Sequence, residues 1–251
     1  MIFKKITVGP SDTNSYIIGS DITKEIAIID PGFEPEKIIG EINKIGATPV
    51  AILLTHGHFD HSMYLNEILK NFPKIELIYN KKEYNSLQTN LKEQDIEILV
   101  DLMDNKKDET LEQNNKEQAI DFLIEKGLYT NIKADRWLNE GDIIKIGELN
   151  FKTLETPGHS PGSLSFYSKD VNEIRGHLID GVIFTGDLLF KRDVGQFNIP
   201  GGDEQLLYLS VKNKLMNNPD ITDRFKVCAG HWGYTTIGEE RILNPFRKYF
   251  T

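Results

Sequence analysis

The sequence is short of cysteine, because its 251 residues include only one, Cys228. A single cysteine excludes an internal disulfide, and it excludes zinc and iron–sulfur sites that need several thiolates. Any metal in this protein would therefore be held by histidine and carboxylate side chains. Cys228 itself ends an apolar run, which predicts a buried and unreactive thiol.

Long hydrophobic runs are also missing. The longest apolar stretches, such as residues 50–54, fall far short of the roughly 20 residues that cross a bilayer. Residues 1–10 lack the apolar core of a signal peptide. We therefore expect a cytoplasmic protein with no membrane partner.

Basic residues are in deficit. The chain has 29 Lys and Arg against 38 Asp and Glu, which gives a formal net charge of -9. A surface of that sign repels phosphate backbones and anionic lipid headgroups. We expect no nucleic-acid partner, and we expect a small molecule as the substrate.

The residues that are present form an ordinary globular mixture. Hydrophobic residues make up 39% and charged residues 27% of the chain, which is far from the composition of a disordered protein. Neither an internal repeat nor a low-complexity linker divides the sequence. We expect a single domain over residues 1–251, and the oligomeric state is open between monomer and homodimer.

Apolar periodicity predicts short strands that alternate with helices. The expected helices are residues 34–45, 63–69 and 203–217. The expected strands are residues 2–8, 14–18, 25–29, 49–54, 75–79, 143–146, 151–154, 163–167, 178–184 and 225–228.

One stretch interrupts this alternation. Residues 81–126 contain neither Gly nor Pro, and their apolar residues recur at helical spacing, so we expect a helical insertion at about 81–138. The insertion up to residue 135 has no His or Cys and is expected to hold no metal ligand. It is either a solvated excursion or a lid or dimer surface.

The clearest chemical signal is the run Thr55-His56-Gly57-His58-Phe59-Asp60-His61, between a predicted strand and a predicted helix. A His-x-His-x-x-His triplet is improbable by chance in a chain with 6 histidines. Side chains two apart in an extended loop point the same way, so His56 and His58 can bind one ion. The turn at Asp60 and His61 directs the next pair toward a second ion.

Three further segments each place a possible ligand next to glycines at the end of a predicted strand. They carry His159, Asp187 and His231. Ligands on loops at strand ends are a common layout of active sites. His177 has no such setting and is expected at the surface.

With these motifs the sequence resembles the metallo-β-lactamase-fold hydrolases, and among them the glyoxalase II-like branch. The resemblance covers residues 2–79 and 142–250, and residues 195–203, 235–240 and 244–246 add to it. It implies an α+β fold, a four-layer αββα sandwich of two mixed sheets flanked by helices. It also implies a ligand set for two metals: His56, His58 and His159 for the first, Asp60, His61 and His231 for the second, and Asp187 between them.

Imidazole and carboxylate ligands suit zinc, iron or manganese, and zinc is the default expectation. Two divalent ions beside Asp60 and Asp187 would favour a bridging hydroxide as nucleophile, which Asp60 would orient as a catalytic residue. The matched motifs contain no clear general acid, which favours a thiolate leaving group and hence thioester hydrolysis. The resemblance implies a hydroxyacylglutathione-like thioester as the substrate. The alternatives are a lactonase or other ester hydrolase, and a mononuclear iron persulfide dioxygenase.

Several positions depart from the glyoxalase II-like pattern. Gln196 stands where a basic residue is usual, and Trp232 stands where Gly is common. Lys191 or Arg192 could take the place of that basic residue, but both are expected to be solvated surface charges. Asp30 fits two interpretations equally well, a support for the metal loops or a turn residue.

Overall fold

The structure is a computed structural model that describes residues 1–84 and 132–250. Residues 85–131, which hold most of the expected helical insertion, lie outside the described residues. The expectation that residues 1–251 form a single domain stays a prediction.

Two six-stranded sheets account for most of the described chain. The first has the order β1-β2-β3-β4-β5-β6 and is antiparallel up to β3 and parallel from there to β6. Its strands are β1 (Ile2–Val8), β2 (Thr13–Gly19), β3 (Glu25–Ile29), β4 (Thr48–Leu53), β5 (Glu76–Tyr79) and β6 (Arg136–Trp137).

The second sheet has the order β16-β15-β12-β9-β8-β7, and β12 and β15 form its parallel pair. Its strands are β7 (Ile143–Ile146), β8 (Leu149–Glu155), β9 (Leu164–Ser168), β12 (Gly181–Gly186), β15 (Phe225–Ala229) and β16 (Thr235–Thr236). Two small hairpins complete the strands: β10 (Glu173–Ile174) with β11 (His177–Leu178), and β13 (Leu189–Phe190) with β14 (Asp193–Val194).

The helices are short. They are α1 (Pro35–Ile45), α2 (Phe59–Ser62), α3 (Leu65–Asn71), α4 (Glu204–Ser210) and α5 (Ile237–Leu243). The π-helix Val211–Met216 continues α4, and 3-10 turns lie at Lys81–Glu83 and Arg247–Tyr249. None of the helices in the described part of the chain has the length and apolarity that a membrane span requires.

Side-chain alternation along the strands creates three cores. In β3, Ile26 and Ile28 face α1 and α3, whereas Ala27 and Ile29 face the second sheet. Between the sheets, Tyr16 packs edge-on against Phe184, with ring centroids 5.2 Å apart. A third core lies between the second sheet and α4, the π-helix and α5. The layers are therefore helices, sheet, sheet and helices, which confirms the expected αββα sandwich of two mixed sheets.

Two details differ from the sequence predictions. The insertion was expected to be helical to about residue 138, but Arg136 and Trp137 pair in parallel with Ile78 and Tyr79 as an edge strand. Trp137 packs edge-on against Tyr79, at 5.1 Å between ring centroids. The predicted strand over residues 178–184 is divided, because its first residue belongs to the β10–β11 hairpin and β12 begins only at Gly181.

Candidate metal centre

All seven predicted ligands lie at one end of the sandwich, where loops leave both sheets. His56 and His58 follow β4, and Asp60 and His61 lie in α2. The second sheet supplies the other three after the strands β8, β12 and β15: His159, Asp187 and His231. Six of the seven are fully buried, and His231 is partly exposed.

Six of the seven side chains form two groups of three. The possible ligand atoms of His56, His58 and His159 lie within 4.8 Å of one another, and so do those of Asp60, His61 and His231. In the second group, Asp60 Oδ2 lies 3.3 Å from His231 Nε2 and 3.4 Å from His61 Nε2.

Asp187 lies between the two groups. One carboxylate oxygen, Oδ1, is 3.4 Å from His61 Nε2, and the other, Oδ2, is 3.5 Å from His159 Nε2. Oδ2 is also 3.5 Å from His231 Nε2. The carboxylate therefore contacts both groups, which is the position that a ligand shared by two ions would occupy.

Hydrogen bonds fix which nitrogen of several rings faces the centre. The backbone carbonyls of Gln196 and Ser11 can only accept, so His159 Nδ1 donates to the first (2.7 Å) and His231 Nδ1 to the second (3.0 Å). Their Nε2 atoms then carry the lone pair when the rings are neutral. Both Nε2 atoms face the cluster, as metal ligation requires.

Two buried polar atoms of the cluster lack a hydrogen bond. They are His56 Nε2 and Asp187 Oδ1. A buried polar atom without a partner costs about 1–3 kcal/mol. Metal ions held by the two groups would supply a partner for each of these atoms, so the donor set fits divalent metal.

The ionisation of the cluster points the same way. Burial lowers the pKa of His56 well below its usual value, and neighbouring imidazoles add to the effect, so this ring is neutral. Burial also acts to lower the pKa of His231, but Asp187 and Asp60 outweigh it and raise the pKa to about 10. Without a metal, the carboxylates thus hold a proton on His231. A cation that binds there would displace that proton.

A sequence profile of the Metallo-beta-lactamase superfamily matches residues 8–231, the span that contains all seven of these residues. The chain belongs to this superfamily. Hydroxyacylglutathione hydrolase GloC of Haemophilus influenzae is 35% identical to it over 245 residues, which cover 96% of this chain and 95% of GloC. The superfamily and the resemblance to the glyoxalase II-like branch are therefore confirmed.

Two solved structures are also similar to the chain. The crystal structure of BLEG-1 B3 metallo-beta-lactamase has a TM-score of 0.74 and 32% identity, and the match covers 98% of this chain and 99% of that one. The crystal structure of TTHA1623 in a di-iron-bound form has a TM-score of 0.68 and 27% identity, with 97% and 99% covered. The chain carries the metallo-β-lactamase fold and is a metallo-hydrolase by family.

In this superfamily member Asp30 supports the metal loops. Its carboxylate accepts hydrogen bonds from the backbone N–H and the hydroxyl of Thr55, at 2.8 and 2.7 Å. It also lies 3.0 Å from His61 Nδ1. Asp30 lies close enough to His56 and His61 to form a third possible ligand group, but its oxygens are already used by these donors. These contacts favour the supporting interpretation, and Asp30 also has the left-handed backbone of a turn residue, with φ 49°.

Glu83 is a supporting residue that the sequence analysis missed. It is fully buried in the 3-10 turn after β5, and burial raises its pKa. Its carboxylate accepts from the backbone N–H groups of Gly57 (2.8 Å) and Gly162 (2.6 Å) and from the Ser160 hydroxyl (2.8 Å). Glu83 thus ties the loop of His56 and His58 to the loop of His159. Glu83 follows the predicted strand at residues 75–79 closely, and this position could have indicated a role at the strand end. The sequence analysis instead assigned Glu83 to the helical insertion.

A glycine permits the close packing of the second group. A Cβ atom on Gly230 would lie 2.2 Å from Asp187 Oδ1 and 2.8 Å from His61 Cε1. Both distances are too short for real atoms. The glycine beside His231 is therefore a condition for Asp187 and His61 to meet there.

Among the other predicted residues, one expectation was wrong. Lys191 and His177 are exposed and Cys228 is buried, as expected. Arg192, however, is no solvated charge, because its guanidinium forms an ion pair with Glu240, whose side chain is fully buried. This pair connects the β13–β14 hairpin to α5. The interaction joins residues 48 positions apart, which local charge patterns do not reveal.

A cavity of about 510 Å³ opens beside the second group. Asp60, Asp187 and His231 line it, together with an aromatic wall. The wall comprises Phe190, Phe197, Trp232 and Phe246. The proposed metal ligands are thus reached from a pocket of a size that suits a small organic molecule.

Proposed function

We propose that this protein is a hydrolase that uses two divalent metal ions to cleave thioesters. The observation that carries the proposal is the position of Asp187, whose carboxylate contacts His159 of one ligand group and His61 and His231 of the other. The similarity to hydroxyacylglutathione hydrolase GloC and to the di-iron-bound TTHA1623 supports it.

The ligand assignment follows the two groups. His56, His58 and His159 would hold the first ion, Asp60, His61 and His231 the second, and Asp187 both. We propose zinc, with iron or manganese as alternatives, because imidazole and carboxylate suit all three. Two such ions would supply a hydroxide nucleophile at neutral pH and Lewis acidity for the developing oxyanion.

Asp60 has a second task in this proposal. It is buried, it lines the cavity, and the Thr13 hydroxyl donates a hydrogen bond of 2.9 Å to its Oδ2. Thr13 thereby fixes the rotamer of the carboxylate. A carboxylate held in this way can orient the attacking water toward a carbonyl carbon in the cavity, which makes Asp60 the proposed catalytic residue.

The cavity lining also bears on the leaving group. Besides the ligand residues, Asp193 is the one titratable side chain among the described lining residues, and its Oδ1 already accepts from the Val194 N–H at 2.9 Å. A leaving group would therefore depart without a dedicated acid. A thiolate, with a pKa near ~8.5, does so far more easily than an amine.

The expected partners are a small thioester or ester and no macromolecule. The net charge of -9 disfavours nucleic acid and anionic lipid surfaces. We also propose a cytoplasmic location, because a chain with one cysteine gains nothing from an oxidising compartment.

Metal content and hydrolysis, measured on the same preparations, test the proposal. Protein purified under zinc- and iron-replete conditions should hold near two ions per chain and hydrolyse thioesters faster than lactones. In Asp60→Asn the metal content should fall toward one, and hydrolysis should drop about 100-fold or more, as for loss of a main transition-state stabiliser. Asp193→Asn, in the same cavity, should keep both ions.

The competing functions give different results. His56, His58 and His159 lie close enough together to hold one ion without Asp60. In a mononuclear iron persulfide dioxygenase the iron would sit on these histidines or on Asp187. One ion per chain, oxygen consumption with a persulfide, and retention of that activity in Asp60→Asn would establish the dioxygenase and refute the proposal. Faster turnover of lactones than of thioesters would refute the thioesterase assignment and favour a lactonase.

A further inference from the structure

Trp232 has an unusual backbone conformation. Its φ is 62°, in the left-handed region that bulky side chains disfavour. The Trp232 carbonyl accepts hydrogen bonds from Lys5 Nζ (2.7 Å) and Asn14 Nδ2 (2.9 Å), which belong to β1 and β2. Contacts from the first sheet therefore hold this residue in a conformation that a glycine would adopt more easily.

The side chain is equally unusual, because it gains little burial in return. Its exposed fraction is 53%, although tryptophan is a large apolar residue. The ring packs edge-on against Phe190, with centroids 4.9 Å apart, and Phe190 packs edge-on against the ring of His231 at 5.8 Å. Only Phe190 separates the half-exposed Trp232 ring from the ring of the proposed ligand His231. A strained backbone and an exposed aromatic ring at such a position indicate a role in function rather than in stability.

The charges around the cavity narrow the class of ligand. Among the described lining residues the charged groups are Asp60, Asp187 and Asp193, together with His231, and there is no Lys or Arg. The nearby Arg192 is engaged by Glu240 and by the Thr235 hydroxyl. The described lining residues thus offer aromatic faces and no Lys or Arg side chain for the carboxylates of a thiol such as glutathione.

We propose that Trp232 and Phe190 form a binding wall for an aromatic group of the substrate, and that the preferred substrates are uncharged aryl thioesters. This inference rests on the proposed thioesterase function and names its substrate class. An aryl ring can pack edge-on or offset against the exposed face of Trp232, while the thioester carbonyl lies beside Asp60 and Asp187. Tripeptide thioesters with free carboxylates are expected to be poorer substrates.

The test compares two neutral thioesters of N-acetylcysteamine, one with a phenylacetyl group and one with an acetyl group. The wild type should prefer phenylacetyl, by the ratio of kcat/KM values. Trp232→Gly and Trp232→Ala should each reduce this ratio about tenfold, mainly through KM, whereas Trp232→Phe should keep most of it. Leu178→Ala, which removes a large apolar side chain that is 72% exposed on the β10–β11 hairpin, should leave the ratio unchanged.

The two small variants separate binding from folding. Glycine relieves the left-handed strain and alanine does not, so Trp232→Gly should have the higher thermal unfolding midpoint. Equal loss of selectivity in both variants would assign the effect to the ring. Loss only in the alanine variant, or no aryl preference in the wild type, would overturn the proposal.

Binding of a benzyl thioether, which has no scissile carbonyl, distinguishes failure of this inference from failure of the proposed function. Calorimetry on the metal-loaded protein should show binding that weakens about tenfold in Trp232→Gly. If this binding is present but no thioester is hydrolysed, the proposed thioesterase function is refuted and the binding wall of Trp232 and Phe190 is supported. If thioesters are hydrolysed but the thioether does not bind, the binding wall is refuted and the thioesterase function stands.

Discussion

Arg192→Ala should destabilise the protein strongly, because it removes the cationic partner of a buried carboxylate. The side chain of Glu240 is fully buried, and that of Arg192 is 30% exposed. Removing one partner of a buried ion pair costs roughly 3–5 kcal/mol, since it leaves an uncompensated charge.

Other donors reduce the expected cost. Glu240 also accepts from the Thr235 hydroxyl (2.6 Å), from Asn244 Nδ2 (2.8 Å) and from the backbone N–H of Arg192 (3.0 Å), and all three remain in the variant. We therefore expect the lower end of the range, about 3 kcal/mol in the free energy of unfolding. Urea denaturation of the metal-free protein, followed by circular dichroism, measures this value.

A matched pair provides the control. Arg224 and Asp180 form an ion pair of 3.5 Å with side chains that are 61% and 39% exposed, so Arg224→Ala should cost less than about 0.5 kcal/mol. The double variant Arg192→Ala with Glu240→Gln should recover part of the loss, because the buried charge is then gone. If Arg192→Ala were no more harmful than Arg224→Ala, the reasoning about the buried pair would be refuted.

Three further predictions concern the proposed metal centre and the core. Gly230→Ala should lower the metal content while the circular dichroism spectrum stays native, because the new Cβ would lie 2.2 Å from Asp187 Oδ1. In the control variant Gly40→Ala, the new Cβ would meet nothing within 4 Å outside its own helix backbone and chain neighbours, so the metal content should be unchanged. Equal metal content in the two variants would contradict the steric argument. Burial raises the pKa of Cys228 above its ordinary 9.0, so a thiol reagent at pH 8 should label the protein only after unfolding. Stability should fall as pH rises above about 9, because the unfolded thiol then loses its proton while the native one keeps it.

The sequence was sufficient where chemistry and periodicity are local. The spacing of His56, His58 and His61 singled out the loop that the structure brings together with the loops of the second sheet, and the apolar run over residues 25–29 predicted β3 with the bounds that the structure has. Interactions between distant residues were out of reach, because they depend on how the layers pack. Glu83 accepts a hydrogen bond from Gly162, which is 79 positions away in sequence. The partner of Arg192 is 48 positions away, so its local sequence indicated only a solvated charge.

Very short elements also escaped prediction. A two-residue strand such as β6 or β13 has no period to detect, and it forms only because a neighbouring strand presents free backbone groups. The positive φ of Trp232 was also not predictable, since the contacts of this residue come from Lys5 and Asn14 of the first sheet, far away in sequence. The local sequence of that turn shows only an aromatic residue beside a histidine, and it does not indicate the backbone conformation.

The division of the seven side chains between the sheets has a consequence for assembly. Four come from the loop after β4 and α2 of the first sheet, and His159, Asp187 and His231 come from the second. Neither half of the sandwich can therefore offer the complete set before the sheets have docked through contacts such as Tyr16 with Phe184. A ligand that needs the complete set binds only when the two sheets are docked, so its binding would stabilise the contact between them. A chelator would therefore weaken the contact between the sheets before any single strand unfolds.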